Sequence, residues 1–346
     1  MDGLSIELTN ACSRRCLHCF RNKEDPPDFL PLPLARDVLN QARNLGFQTV
    51  CLTGGEVALY PDLEEILKLL VKHNFTFTLV TNGHRFREKL LPLLAGPQVR
   101  EKLKLVCLSL DGASAESHDA LRGSGSFREV VEAATLCQFK GIPVSFKSVV
   151  TNFNKEELSE LALLGANLEA QDQSFLNPLP APRSVREGVI PLPDEMREIM
   201  EGIIGILAKA MHPRILIEGF SSRTALFSCS NILHCTHMDY QGNQILCCNL
   251  SHSAREEGQS SVFGREWLGN LKEMPLREGL VRHYHRIAQL MEARVRDIER
   301  LNDLTFIPCF WCLQHFGKLD WLRDFPESPW FIGVRGEKET CGRLNE

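Results

Sequence analysis

The chain lacks the marks of several large protein classes. No run of Lys and Arg interrupts a formal net charge of −5, so the electrostatic footprint of nucleic-acid binding is absent. No apolar stretch approaches the ~18–20 uninterrupted residues of a membrane-crossing helix, and no membrane partner is expected. The opening residues MDGLSIELTN carry an Asp and no basic segment, unlike a signal peptide, so the expected location is the cytoplasm. There is no low-complexity tract, no repeat beyond strand–helix alternation, and no HExxH. The last absence argues against a zinc hydrolase.

Cysteine, in contrast, is plentiful. Thirteen cysteines in a chain expected in a reducing compartment need a reason other than disulfides. Cys12, Cys16 and Cys19 cluster near the N-terminus; Cys229, Cys235, Cys247, Cys248, Cys309 and Cys312 lie in the last third, and Cys341 in the tail. Cys51, Cys107 and Cys137 stand singly inside apolar patterns and read as small buried hydrophobes. The two clusters are where metal is expected.

Between them, short apolar runs alternate with helical patterns. Strands are predicted at Leu4–Thr9, Thr49–Thr53, Phe75–Val80, Leu103–Leu110, Val144–Val150 and Gln173–Leu176. Helices are predicted at Pro33–Leu45, Asp62–His73, Phe127–Lys140 and Glu156–Leu164. Strand then helix, repeated about six times, is the pattern of a parallel sheet with helical crossovers. The fold class is therefore α/β, a partial (β/α)6 TIM-like barrel. Such barrels carry their chemistry at the C-terminal ends of the strands. The Cys triplet follows strand one, Gly54-Gly55-Glu56 strand two and Asn82-Gly83 strand three, while Ser109 closes strand four. The expected domains are a core over 1–180, a linker and bridging helix over 181–222, and a cysteine-rich module over 223–346. A helical pattern through Leu280, Tyr284, Ile287, Met291, Val295 and Ile298 reads either as a lid or substrate wall beside the barrel mouth or as a spacer.

A tetrahedral metal site usually wants four protein ligands, yet NACSRRCLHCFRN offers three cysteines. A zinc knuckle borrowing His18 would be strained, because His18 lies between Cys16 and Cys19. Cys12-x3-Cys16-x2-Cys19 resembles the CxxxCxxC motif of the radical S-adenosylmethionine (SAM) superfamily. The resemblance implies a [4Fe–4S] cluster held at three irons, the fourth left open for SAM. It further implies reductive cleavage of SAM to a 5′-deoxyadenosyl radical that abstracts a substrate hydrogen. LTGGEVALY looks like the superfamily's GGE segment, so Gly54, Gly55 and Glu56 are implied to receive the SAM ammonium through backbone and acid. TNGHR and SLDGASAESHDALRGSGSF also look like family segments. By that resemblance Asn82 joins the cofactor site, Ser109 reaches the SAM ribose, and Arg122 pairs with the SAM carboxylate. The plainer alternative for Arg122 is a solvated charge at a helix end. Phe20 fits the aromatic common after this motif, or is simply a packing residue.

The second group, Cys229-x12-Gly242-x4-Cys247 followed by Cys309-x2-Cys312, resembles the SPASM/twitch extension. That implies an auxiliary [4Fe–4S] cluster, two clusters in all, on Cys229, Cys247, Cys309 and Cys312, with Cys235 as an alternative ligand. Zinc on the same four thiolates stays open. In the anaerobic sulfatase maturases, which the module resembles, an aspartate follows the Gx4C cysteine; here Cys248 stands there. Cys248 is therefore either a hydrogen-atom donor of the kind some radical SAM epimerases use or a buried neighbour of the cluster.

The resemblance implies an enzyme of the maturase or oxidoreductase kind. Its substrate would be a peptide, a sugar or cyclitol, or a cofactor precursor, and its electrons would come from a flavodoxin or ferredoxin. The first strand starts close to the first residue, so no leader-recognition domain is expected ahead of it, which weakens the peptide option. The alternative from another class is a non-catalytic iron–sulfur carrier or sensor, for which an open iron beside Glu56 has no use.

Overall fold

The computed structural model describes residues 1–20, 26–210, 212–218, 226, 229–251 and 264–335. Seven strands pair in chain order, each parallel to the next. They are β1 (Gly3–Glu7), β2 (Thr49–Thr53), β3 (Thr76–Thr81), β4 (Leu103–Ser109), β5 (Val144–Val149), β6 (Asp172–Leu176) and β7 (Arg214–Glu218). β8 (Cys235–Met238) pairs parallel with the free side of β1, and β9 (Asn243–Ile245) and β10 (Trp267–Asn270) extend that side antiparallel. The result is one open sheet of ten strands with β7 and β10 at its ends.

The helices form where the sequence patterning places them. Leu32–Asn44 buries Ala35, Val38, Leu39 and Ala42, one stripe at helical spacing. Pro33 sits in its first turn, and Gly46, at φ 88°, donates its N–H to Arg43 O to close the C-terminus. Leu63–Lys72 carries Glu64 and Glu65 in its first turn, where the helix dipole favours acids. Among the described residues no helix is long and apolar enough to cross a membrane.

The sheet's two faces differ in kind. Leu4, Ile6, Val50, Leu52, Phe77 and Phe146 are fully buried in the main core that the helices complete. The alternate positions, such as Ser5, Cys51, Thr78, Cys107 and Lys147, point to the other side, the barrel interior. Strands covered by apolar layers on both faces read as continuous apolar runs. Here the inner-face positions include Ser5, Cys51, Thr78, Cys107, Ser145, Lys147, Asp172 and Ser174, so much of the inner face borders a polar interior.

Two expectations need correction. The stretch 181–222 is more than a linker and bridging helix, because it contains β7, which pairs with β6 along its whole length. The helix Leu276–Arg296 buries Leu276, Gly279, His283, Ile287, Leu290 and Arg294, whereas Tyr284 and Val295 of the predicted stripe are exposed. The reason is close polar packing. A Cβ on Gly279 would lie 1.6 Å from Gln244 Oε1. His283 Nε2 donates to Ile232 O at 2.9 Å, and Arg294 donates to the carbonyls of Thr305 and Phe306, each at 2.7 Å. Hydrophobicity alone misses a face built on Gly, His and Arg. The helix packs on the β8–β10 side.

Candidate active site

The loop that carries Cys12, Cys16 and Cys19 leaves β1 and is clamped from two sides. Gly55 N–H donates to Thr9 O at 2.6 Å, and Glu56 N–H donates to Ala11 O at 2.8 Å. A Cβ on Gly55 would stand 2.0 Å from Ala11 O, and one on Gly54, at φ 142°, would stand 2.6 Å from Thr9 O. The paired glycines are there because two backbones touch just before Cys12. On the other side Leu17 N–H donates to Leu121 O at 2.9 Å, tying the loop to the helix Ala115–Arg122 that follows β4. Phe20 packs against the C-terminal apolar cluster, so it joins the cysteine loop to the second half of the chain.

Glu56 has a task the sequence did not suggest. It is 1% exposed, and its carboxylate accepts from Thr81 Oγ1 (2.7 Å), Asn82 N–H (2.8 Å) and Ala58 N–H (3.0 Å). Burial pushes it up to about 6, against the opposing pull of those donors. The resemblance implies that this acid receives the SAM ammonium; in the structure it also fastens the end of β2 to the end of β3.

Asn82, held by that bond, directs Nδ2 toward Cys12 Sγ at 3.7 Å and Ser13 Oγ at 3.5 Å. Arg122 is 10% exposed in its side chain and is no solvated helix-end charge. Its Nε donates to Asp111, and one terminal nitrogen lies 3.9 Å from Cys16 Sγ. Asp111 is fully buried, accepts Val149 N–H at 2.7 Å and has His18 Nε2 at 3.4 Å. Burial would raise the Asp111 carboxyl, but Arg122 and His18 outweigh it and hold it below the usual range. Burial raises the Cys16 thiol, with Arg122 as the main opposing influence and Cys19 and Cys12 adding to the rise. The three thiols thus share one electrostatic environment with one buried guanidinium. Ser109 ends β4 beside Lys147 of β5, half-buried.

The second cysteine group has different surroundings. Cys229, Cys247, Cys309 and Cys312 line one cavity with Ile232, Leu246, Asn249, Leu250, Leu290, Pro308 and Leu313. Burial pushes the Cys309 thiol up to about 12, helped by Cys229 and Cys248, and pushes Cys312 well up, helped by Cys309 and Cys229. These thiols are protonated without metal, so a metal group must displace their protons to bind. Leu290 makes the helix Leu276–Arg296 a wall of this cavity; the sequence had suggested a lid or substrate wall at the barrel mouth or a spacer.

Cys235 is not among the cavity walls. Its strand β8 is pinned to β1, where Cys235 pairs with Gly3, and its thiol raises no interaction with Cys309 or Cys312 but one with Cys51 and Cys248. Cys248 opens the short helix Cys248–Ser251 and acts electrostatically on Cys309 on one side and on Cys51 and Cys235 on the other. It therefore stands between the cavity and the barrel interior. Cys341 lies outside the described residues.

The donor chemistry of both groups fits iron–sulfur clusters, which take soft thiolates, one at each iron corner. Among the described residues no three His, Cys, Asp or Glu side chains gather as a single metal ion requires.

Sequence reasoning missed the polar interior. Cys137 and Cys107 are buried as expected and Cys51 is half-buried, but Cys51 and Cys107 lie on the inner face of the sheet. Opposite them Lys147 on β5 donates to Ser174 Oγ on β6 at 2.8 Å and pairs with Glu218 at the end of β7. The signal was available in the alternation of VSFKSV and DQSFL, which puts Ser145, Lys147, Asp172 and Ser174 on one face of strands flanked by helices.

Comparison with known proteins agrees with this arrangement. Residues 6–164 match the Radical SAM superfamily model. The chain is 33% identical over 172 residues to mycofactocin maturase MftC of Mycobacterium tuberculosis, covering 48% of this chain and 42% of that protein. It is 31% identical over 175 residues to the antilisterial bacteriocin subtilosin biosynthesis protein AlbA of Bacillus subtilis, covering 49% and 38%. The chain thus spans less than half the length of these two relatives. Streptococcus suis SuiB bound to S-adenosylmethionine superposes with a TM-score of 0.62 at 19% identity, over 80% of this chain and 64% of that one. At that identity the likeness is one of fold. Matching sequence over the barrel and matching fold beyond it lead to one assignment: residues 6–164 form a radical SAM domain, in a chain similar to MftC and AlbA.

Proposed function

We propose that the chain is a radical SAM maturase acting on a peptide. In this reading residues 1–180 are the catalytic core, 181–222 add β7 to its sheet and lead on from it, and 223–346 carry the auxiliary site. Cys12, Cys16 and Cys19 hold a [4Fe–4S] cluster with one iron left for SAM; Cys229, Cys247, Cys309 and Cys312 hold a second cluster. The first cluster with SAM supplies a 5′-deoxyadenosyl radical, an acceptor for a substrate hydrogen atom.

The chain's own residues bind, orient and insulate. Gly54, Gly55 and Glu56 fix the Cys12 loop against the ends of β2 and β3. Arg122, oriented by Asp111, keeps a positive charge beside Cys16, offsetting the negative charge of a thiolate-ligated cluster and able to meet the SAM carboxylate. Asn82 and Ser109 complete the SAM side. Leu246, Leu250, Leu290 and Leu313 exclude water from the second site. Cys248, between the two, is suited to return a hydrogen atom, because an S–H bond is weaker than most C–H bonds. A flavodoxin or ferredoxin in the cytoplasm supplies electrons.

The observation that carries this reading is the cysteine loop clamped by the double glycine beside the Arg122–Asp111 pair. The peptide class is supported by the names of MftC and AlbA and by the structure of SuiB bound to precursor peptide SuiA. The test is iron and sulfide content after anaerobic reconstitution, with a Cys12/Cys16/Cys19 triple Ala variant alongside. Two cubanes require about eight irons in the native chain and about four in the variant. Native chain with no more iron than the variant would refute the first site, and a variant without iron would refute the second.

A further inference from the structure

Among the described residues the polar interior face holds, near its mouth, an ion pair that the scheme above does not use. Lys147 lies on β5 among the thiols and hydroxyls of the neighbouring strands. Its Nζ donates to Ser174 Oγ at 2.8 Å and pairs with Glu218. An ammonium has three donors, and the protein bonds found here engage two. The partners are unequally sheltered: the Lys147 side chain is 26% exposed and that of Glu218 is 45% exposed. Glu218 is the last residue of β7, at the C-terminal end of the parallel strands, so it faces the mouth through which a substrate enters.

A half-exposed pair of this kind contributes little to stability, while drawing an ammonium into a barrel carries a desolvation cost. The other interior cation on these strands, Arg214, lies at the opposite end of β7. Its side chain is 72% exposed, and it pairs with Asp172. Lys147 is thus the interior cation nearest the mouth on β1–β7.

We propose that Lys147 anchors a carboxylate of the substrate inside the barrel, and that Glu218 holds its place until the substrate's carboxylate displaces it. This rests on the peptide reading above and narrows it to peptides that bring an acidic side chain or a C-terminal carboxylate into the interior. Exchange of one carboxylate for another keeps the buried ammonium paired throughout, and Ser174 holds Nζ in position during the exchange. Specificity follows because a neutral group would leave Lys147 with Glu218 and gain nothing from it.

The test is a calorimetric titration of the reconstituted full chain with three probes. N-acetylglutamate α-amide carries a side-chain carboxylate, N-acetylalanine a terminal one, and N-acetylalaninamide none. Whichever charged probe binds identifies the source. Lys147→Gln is expected to weaken it about tenfold or more, the loss of one hydrogen bond to a charged group. Glu218→Gln is expected to tighten it by a similar factor, because the competitor is gone. Opposite signs distinguish this role from a structural ion pair, whose loss from either side would weaken binding and lower Tm together. Equal binding of the neutral probe, no binding of either charged probe, or weaker binding in Glu218→Gln would overturn the proposal. SAM cleavage by the native chain, measured in parallel, tests the radical SAM reading separately.

Discussion

The two cysteine centres are built from the same thiol chemistry in surroundings that differ in polarity. Around Cys12, Cys16 and Cys19 the neighbours are a guanidinium, a buried carboxylate, an amide and backbone groups. Around Cys229, Cys247, Cys309 and Cys312 they are mainly leucines, an isoleucine and a proline, with Asn249 in the wall, Asn231 Nδ2 at 3.5 Å from Cys247 Sγ and Arg294 acting on Cys312. A site that must admit and orient a charged cofactor needs fixed polar groups. A site that only stores or passes electrons is better kept dry. The difference is what the proposed division of roles between the two centres expects.

The sharpest way to break that comparison is one substitution in each centre. Cys12→Ala should abolish formation of 5′-deoxyadenosine, while Cys229→Ala should keep uncoupled SAM cleavage and lose product, both read by chromatography of anaerobic reactions. Equal losses would mean that the two centres do not divide the work. Next in size, Arg122→Met leaves Asp111 buried without its main partner. It should cost about 3–5 kcal/mol, seen as a lower urea midpoint.

The apolar centre should respond to volume rather than charge. Leu290→Ala, at a side chain 1% exposed, should cost about 2–5 kcal/mol and leave SAM cleavage without product intact. The smallest expected effect belongs to Glu56. Its folded value of about 6 lies above the ordinary 4.5, so the protonated form favours the fold. That contribution is complete below pH 4.5 and is lost as the pH rises through 6. It amounts to about 2 kcal/mol. Glu56→Gln should flatten this part of the Tm–pH curve relative to native protein; parallel curves would show that Glu56 does not titrate there.

Much of the scaffold was legible because local pattern and tertiary outcome agree. Thr49–Thr53 emerges with the predicted bounds, and five other strands lie within two residues of theirs. β7 was not legible as part of the barrel sheet, since RILIE takes its meaning only from pairing with β6. The stripe on Leu276–Arg296 was misread because a Gly, a His and an Arg form the contact there, and hydropathy does not register close approach or hydrogen bonding.

The sequence by itself determined the cysteine spacings, the strand–helix alternation and the double glycine after strand two, because each is a local pattern with a local physical cause. Tertiary structure alone decided that Glu56 fastens two strand ends, that Cys235 stays with β1 while four other thiols share a cavity, and that Lys147 meets Glu218 across three strands. Those outcomes depend on which distant residues the parallel register brings together, and register is set by the whole sheet rather than by any one segment of chain.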